Sequence, residues 1–437
     1  MECSMIRSVR NLIYVTLTGF VLTACGGGGG GSTGAIASPS PSAIVTATSS
    51  PVATSNTIFQ QPAVLANGNL RLARIDYRYD TPADSYNTQG YQTTSYEALT
   101  PLIDNMKAVG FNGIVIDNQA PVNAQTGKIS TTDFQNVVKN PPKDMWRVID
   151  YAKSQGMQVW LSLAIVDSVT DCNLSPDFTK YSEQDMFYNV AQWDIPLAIL
   201  AQNHKVDGIF VSEGNWQFDT DAKHIPYWQY LINQIKSVYS GKLAYNQAML
   251  TSNGTPIYNY VDYIGITLSN GLSTSTTNDL QTIVKMYNND VRGMNEVSTL
   301  RNIYNTYGKK LLLTNSSYGA DSGVNVIPDA FFNSMTANFL NVSSSGQPLV
   351  SYNGTLKSLK TQAFLEMVAL NLSDIVVGET FGEYGPWILD TKFSNPNGIV
   401  YLYYSCGDEI SYDKGEQQML NEYFSKPWGY HTLTTSN

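Results

Sequence analysis

Eight short apolar runs, each after the first preceded by a helical pattern, set the strongest limit on what this chain can fold into. The runs are Leu70 to Tyr77, Ile114 to Asp117, Met157 to Val166, Val206 to Glu213, Lys242 to Met249, Val261 to Leu268, Lys310 to Asn315 and Asp374 to Glu379. Helical patterns cover Tyr96 to Val109, Lys143 to Ser154, Glu183 to Asn203, Ile225 to Tyr239, Pro256 to Tyr260, Val297 to Tyr307 and Leu356 to Leu370. Near-continuous apolar runs are expected of strands covered on both faces. Alternation with helices means a parallel sheet. Glycines such as Gly156, Gly241 and Gly308 end helices just before the next strand, where a left-handed cap is needed. Eight repeats over about 365 residues predict one closed (β/α)8 barrel, a TIM barrel, over residues 67–430. A doubly wound open sheet would want a Gly-rich phosphate loop after the first strand, and Ile75-Asp76-Tyr77-Arg78 is nothing like one.

Residues 1–24 read as an export signal. Arg7 and Arg10 supply a positive end, and Leu12 to Leu22 an apolar stretch too short to span a bilayer comfortably. The stretch ends in Leu22-Thr23-Ala24-Cys25, which resembles the bacterial lipobox; the resemblance implies cleavage before Cys25 and lipidation of it. Residues 25–66 follow as a glycine run and a Ser/Thr/Ala/Pro stretch. With little apolar surface to bury, they read as a disordered tether. An acyl chain replaces a transmembrane helix as anchor, so the expected location is a bacterial cell envelope, at the outer membrane or cell surface. Cys172 and Cys406 remain, either bridged or as two buried thiols. His204, His224 and His431 have no ligand spacing, so no metal is expected, and no organic cofactor is indicated. A net charge of −10 argues against nucleic acid and suits a neutral substrate such as a sugar polymer. The barrel accounts for its own core, which makes a monomer the expectation.

Barrels of this kind place their active sites at the C-terminal ends of the strands. Those ends carry a coherent set of side chains: Asp76, Asp117, Asp167, Glu213, Asn215, Trp216, Asn246, Asn315, Tyr318, Glu379, Glu383 and Trp387. Amides and carboxylates read hydroxyl groups, and aromatic faces stack on sugar rings, so the set suits a polysaccharide or oligosaccharide. Glu213 stands out, because a buried strand ending on a carboxylate is costly unless that group is paired or shifted in pKa. Alternation puts Ile209, Val211 and Glu213 on one side, read as the side facing into the barrel. Trp216 and Trp387 are the stacking candidates, whereas Trp146, Trp160 and Trp193 read as core.

Four stretches carry a family resemblance: Tyr239-Ser240-Gly241-Lys242-Leu243-Ala244-Tyr245-Asn246, Val261-Asp262-Tyr263-Ile264-Gly265-Ile266, Gly308-Lys309-Lys310-Leu311-Leu312-Leu313-Thr314 and Thr361-Gln362-Ala363-Phe364. The chain resembles the clan-A glycoside hydrolase barrels, closest to the family of endo-β-1,4-mannanases and the related barrel domain of gene transfer agents. The resemblance implies that Glu213 is the acid/base glutamate. The asparagine that precedes it in the family falls on Ser212, and the nucleophilic glutamate falls on Asn315. Retaining hydrolysis needs two carboxyl groups about 5 Å apart, and an amide cannot attack. Three repairs stand open: Glu379 or Glu383 as second carboxylate, Asp117 or Asp167 as base on a water, or a substrate acetamido group as nucleophile. The alternative is a glycan-binding protein without hydrolysis.

Overall fold

The computed structural model describes residues 69–76, 96–131, 134–135, 143–168, 176–213, 219–247, 250–268, 272, 277, 279–290, 293–315, 354–381 and 414–433. The leader, the tether with Cys25, and Cys172 and Cys406 lie outside the described residues. The strands are β1 (Leu70–Asp76), β2 (Gly113–Asn123), β3 (Lys128–Ile129), β4 (Gln158–Asp167), β5 (Gly208–Glu213), β6 (Lys242–Gln247), β7 (Tyr263–Leu268), β8 (Leu311–Asn315) and β9 (Val376–Phe381). The helices are α1 (Tyr96–Val109), α2 (Lys143–Ser154), α3 (Glu183–Asn203), α4 (Ile225–Val238), α5 (Leu280–Met286), α6 (Glu296–Tyr307), α7 (Gly354–Asn371) and α8 (Lys414–Phe424). Among the described residues, short 3₁₀ turns also lie at Ala222–His224 and Pro256–Tyr260.

The sheet order is β1-β9-β8-β7-β6-β5-β4-β2-β3, and β1 also pairs with β2. Eight parallel strands therefore close on themselves, and the expected (β/α)8 barrel is what the chain forms. Closure leaves no barrel strand with an open edge. The extra strand, β3, runs antiparallel to the end of β2, with Val122 opposite Ile129. β2 is longer than expected because Ala120 and Val122 are buried and its pairing with β4 continues to Val122 and Asp167. The polar residues Asn118 and Gln119 hid this continuation in the sequence.

Helix ends follow local chemistry. Ser182 caps α3, Asp279 caps α5 and Asn295 caps α6, each accepting a backbone N–H in the first turn. Gly308 ends α6 in the left-handed region (φ 67°) and donates its N–H to the Tyr304 carbonyl. Gly241 does something else. α4 already ends at Tyr239 in extended backbone, and a Cβ at 241 would lie 2.1 Å from the Tyr239 hydroxyl oxygen. Gly241 thus makes room for the Tyr239 phenol, which donates to the Val206 carbonyl (2.8 Å) beneath β5.

Two apolar layers result. Between sheet and helices lie Ile75, Ile116, Leu161, Ile209, Val211, Tyr245, Ile266, Leu313 and Phe381 with their helical partners. Phe381 packs edge-on against Phe111, Phe364 and Phe424. The second layer plugs the barrel. Trp160 of β4 lies 6.1 Å from Tyr263 of β7, although two strands separate them in the sheet, so this contact crosses the lumen. Phe210 packs beside the same indole at 5.2 Å. Gly208 leaves the space for it, since a Cβ there would sit 2.4 Å from the Trp160 ring. Trp146, Trp160 and Trp193 are all buried, as expected of core residues.

Candidate active site

The inner face is fixed by those plug contacts. A Cβ on Gly378 would meet Leu70 and Leu312 from the two flanking strands, and one on Gly113 would meet Leu72. Side chains alternate along a strand. Toward the C-terminal end, the inner-face positions turn polar: Arg74 on β1, Asp117 on β2, Ser162 on β4, Asn246 on β6, Thr267 on β7, Thr314 on β8 and Thr380 on β9. The Arg74 guanidinium lies 3.4 Å from the Asp117 carboxylate, and the Asn246 amide donates to the Thr267 hydroxyl at 2.9 Å. The Ser162 and Thr380 hydroxyls are fully buried and have no hydrogen-bond partner among the described residues. Buried polar atoms of this kind call for partners. Among the described residues, the mouth therefore carries hydroxyls, an amide and the Arg74–Asp117 ion pair over an apolar plug.

Glu213 ends β5, where its backbone is described. Phe210 pairs with Ala244 but Glu213 pairs with Asn246, so β5 spends three steps where β6 spends two. That is a β-bulge, which re-aims the chain at a sheet edge or barrel rim. It corrects the alternation argument. Ile209 and Val211 belong to the outer layer against the helices, so simple alternation would have sent residue 213 outward with them. The bulge absorbs Ser212, which is buried, and brings Glu213 level with the inner-face residue Asn246.

Glu379, expected as the second carboxylate, is elsewhere. β9 runs past it to Phe381, and Gly378 and Thr380 take the inner face. Glu379 pairs with Arg71 and Leu313 on the side of the helix layer. Burial pushes its carboxyl up to about 8, against the opposing pull of Arg71. Arg71 in turn lies over the Phe424 ring at 4.7 Å. Asn315 is buried and pairs with Leu268 and Phe381, both outer-layer residues. Asp117 is thus the carboxylate whose described side chain reaches the inner face, and Asp76 is its register partner on β1. Asp167 pairs with the outer-layer residue Val122. Asn215, Trp216, Tyr318, Glu383 and Trp387 lie outside the described residues.

Sequence reading missed the lining residues Arg74, Ser162, Thr267, Thr314 and Thr380, which look like ordinary strand residues. It also missed Asp219. That carboxylate is fully buried and accepts from the Tyr245 hydroxyl (3.0 Å), and burial pushes its pKa up to about 7. It ties the segment after β5 to β6, the strand that pairs with Glu213. The β2–β3 hairpin stands at the same end, with the Asn189 amide donating to the Gly127 carbonyl (3.2 Å). Among the described residues, no group of three or more His, Cys, Asp or Glu could hold a metal ion.

The model of Glycoside Hydrolase Family 113 matches residues 85–340. Among solved structures, a family 113 β-1,4-mannanase in a complex aligns with TM-score 0.56 at 13% identity, over 82% of this chain and 99% of that one. The family 113 β-mannanase of Alicyclobacillus acidocaldarius, in complex with ManMIm, gives 0.53 at 13% identity over 83% and 98%. A family 5 mannosidase from Rhizomucor miehei gives 0.50 at 12% identity over 82% and 92%. These likenesses show the fold. Curated protein sequences give no match.

Proposed function

The chain belongs to Glycoside Hydrolase Family 113, and on that premise we propose that it is a membrane-tethered hydrolase of a neutral β-linked polysaccharide, with Glu213 as general acid/base. The observation that carries the assignment is the β5 bulge, which brings Glu213 level with Asn246 at the polar mouth. The hydroxyl and amide lining supports a neutral sugar, and the β-mannanases that share the fold make β-1,4-mannan the first substrate to offer.

Asp117 is the partner carboxylate. β2 and β5 are separated by one strand, β4, so at ~4.8 Å per strand their axes lie roughly 9–10 Å apart. Inverting hydrolysis, in which one carboxylate activates a water, uses a gap of about 6.5–9.5 Å. In this scheme Glu213 protonates the glycosidic oxygen, Asp117 takes a proton from the attacking water, and Arg74, 3.4 Å away, pairs with Asp117. A second reading is glycan binding without cleavage. The residue that favours it is Asn315, an amide where the family resemblance places the nucleophile.

One assay separates the two. The purified domain, incubated with β-1,4-mannan and a panel of other neutral glycans, should release reducing ends; retention of a glycan with no release would favour the binding reading. The tether is tested separately. Cys25→Ser should move the protein from the membrane to the soluble fraction, and unchanged fractionation would remove the lipid anchor from the proposal.

A further inference from the structure

We propose a second glycan-binding site on the outer surface of α3 and α4, built on Tyr188 and Tyr230, which holds a neutral polysaccharide beside the mouth. The inference rests on the glycan reading above. Tyr188 is 54% exposed and Tyr230 38% exposed, large values for aromatic side chains. They sit on packed helices, Tyr188 next to Phe187 and Tyr230 one turn after Tyr227, the two rings that join α3 to α4. The helices beneath are locked together by Phe187, which stacks on Tyr227 (5.8 Å) and meets Trp228 edge-on (5.0 Å). The two tyrosines are thus carried on a rigid base.

The surroundings select the ligand. Gln184, Tyr188 and Gln192 follow one another at four-residue spacing along α3 and are all exposed. Gln229, Tyr230 and Asn233 are exposed on α4. After Asp185, no exposed residue of α3 is charged, and Lys236 is the one charged residue of α4. In a chain of net charge −10, this is a neutral strip of phenol rings and primary amides. Phenol rings offer flat faces to the C–H side of a pyranose, and amides pair with its hydroxyls. The exposed charges of the two helices are few, Asp185 one turn before Tyr188 and Lys236 toward the end of α4, so a strongly basic or acidic partner would find little counter-charge here.

Position supports the same occupant. Both helices begin at the C-terminal end of the barrel strands, and Glu183 and His224 link their first turns at 2.5 Å. Tyr188 and Tyr230 lie in the second turn of each helix, next to the rim.

The test uses the full folded domain carrying Glu213→Gln, so that polymer is not consumed, with soluble β-1,4-mannan and the other panel glycans as probes in affinity electrophoresis. Tyr188→Ala with Tyr230→Ala should weaken retention by polymer about tenfold per ring, and the paired Tyr→Phe changes should keep it. In the wild-type background the same double Ala change should leave hydrolysis of short oligosaccharides unchanged. Equal retention of the Ala pair and its parent overturns the site while the glycan reading stands. Hydrolysis of short substrates with no polymer retention at all does the same. Loss of both hydrolysis and retention in the unmodified chain overturns the glycan reading itself. A concentration-dependent dimer abolished by the Ala pair would assign the surface to a second copy and overturn the proposal.

Discussion

Glu213→Gln should lower kcat on an unactivated β-linked glycan by about 10²–10⁴-fold while leaving the fold and glycan binding in place. Loss of a positioned general acid costs on that order, or about 3–5 kcal/mol of barrier. Glutamine keeps the size of the side chain but has no proton to deliver to the leaving oxygen. The deficit should shrink on aryl glycosides with good leaving groups, because their departing oxygen needs little protonation. This leaving-group dependence distinguishes a lost acid from a disturbed mouth, which would slow all substrates alike. Wild-type rates in the variant would remove Glu213 from the chemistry.

Glu379→Gln should change the pH dependence of stability rather than activity. The folded carboxyl titrates near 8 against an ordinary value of 4.5, because it is buried between sheet and helices. The folded state therefore holds its proton more tightly than the unfolded chain does. Stability is fully present below about pH 4.5, falls as the pH rises, and has lost about 5 kcal/mol from this group once the pH passes 8. A glutamine does not ionise, so the variant should lose less stability across that window. Urea midpoints at pH 5, 7 and 9 measure it. Asp194 and Asp219, also raised by burial, act on both proteins alike and cancel in the difference. Parallel curves for the two proteins would mean that Glu379 is not the buried acid this fold makes it.

The barrel was legible because its physics is repetitive. Strands buried on both faces must be apolar throughout, and each returns through a helix, so eight runs announced eight staves. The fine detail of each stave was not legible, because it depends on neighbours. Ile209 and Val211 are apolar whichever side they face, and nothing in Val211-Ser212-Glu213 announces that β5 takes an extra step against β6. Glu379 looked like the end of a strand because Asp374 to Glu379 is a plausible stave. The pairing of Phe381 with Ala73 and Asn315 extends that strand and turns Glu379 outward. The threonines of the mouth were invisible for a related reason. Thr267, Thr314 and Thr380 are good strand formers, so their type carries no mark of function. Their shared signal is position, two residues past Gly265, Leu312 and Gly378, and it appears once the inner face is known. Asp117 was found as one carboxylate among several, and its contact with Arg74 singles it out.

The most direct test of the whole account is a crystal structure of the Glu213→Gln domain with a bound β-linked oligosaccharide. The account predicts the sugar in the mouth over Asn246 and Thr267, with the residue 213 carboxamide at a glycosidic oxygen and Asp117 across the ring from it. A carboxamide packed outward with Ile209 and Val211, away from the sugar, would contradict it.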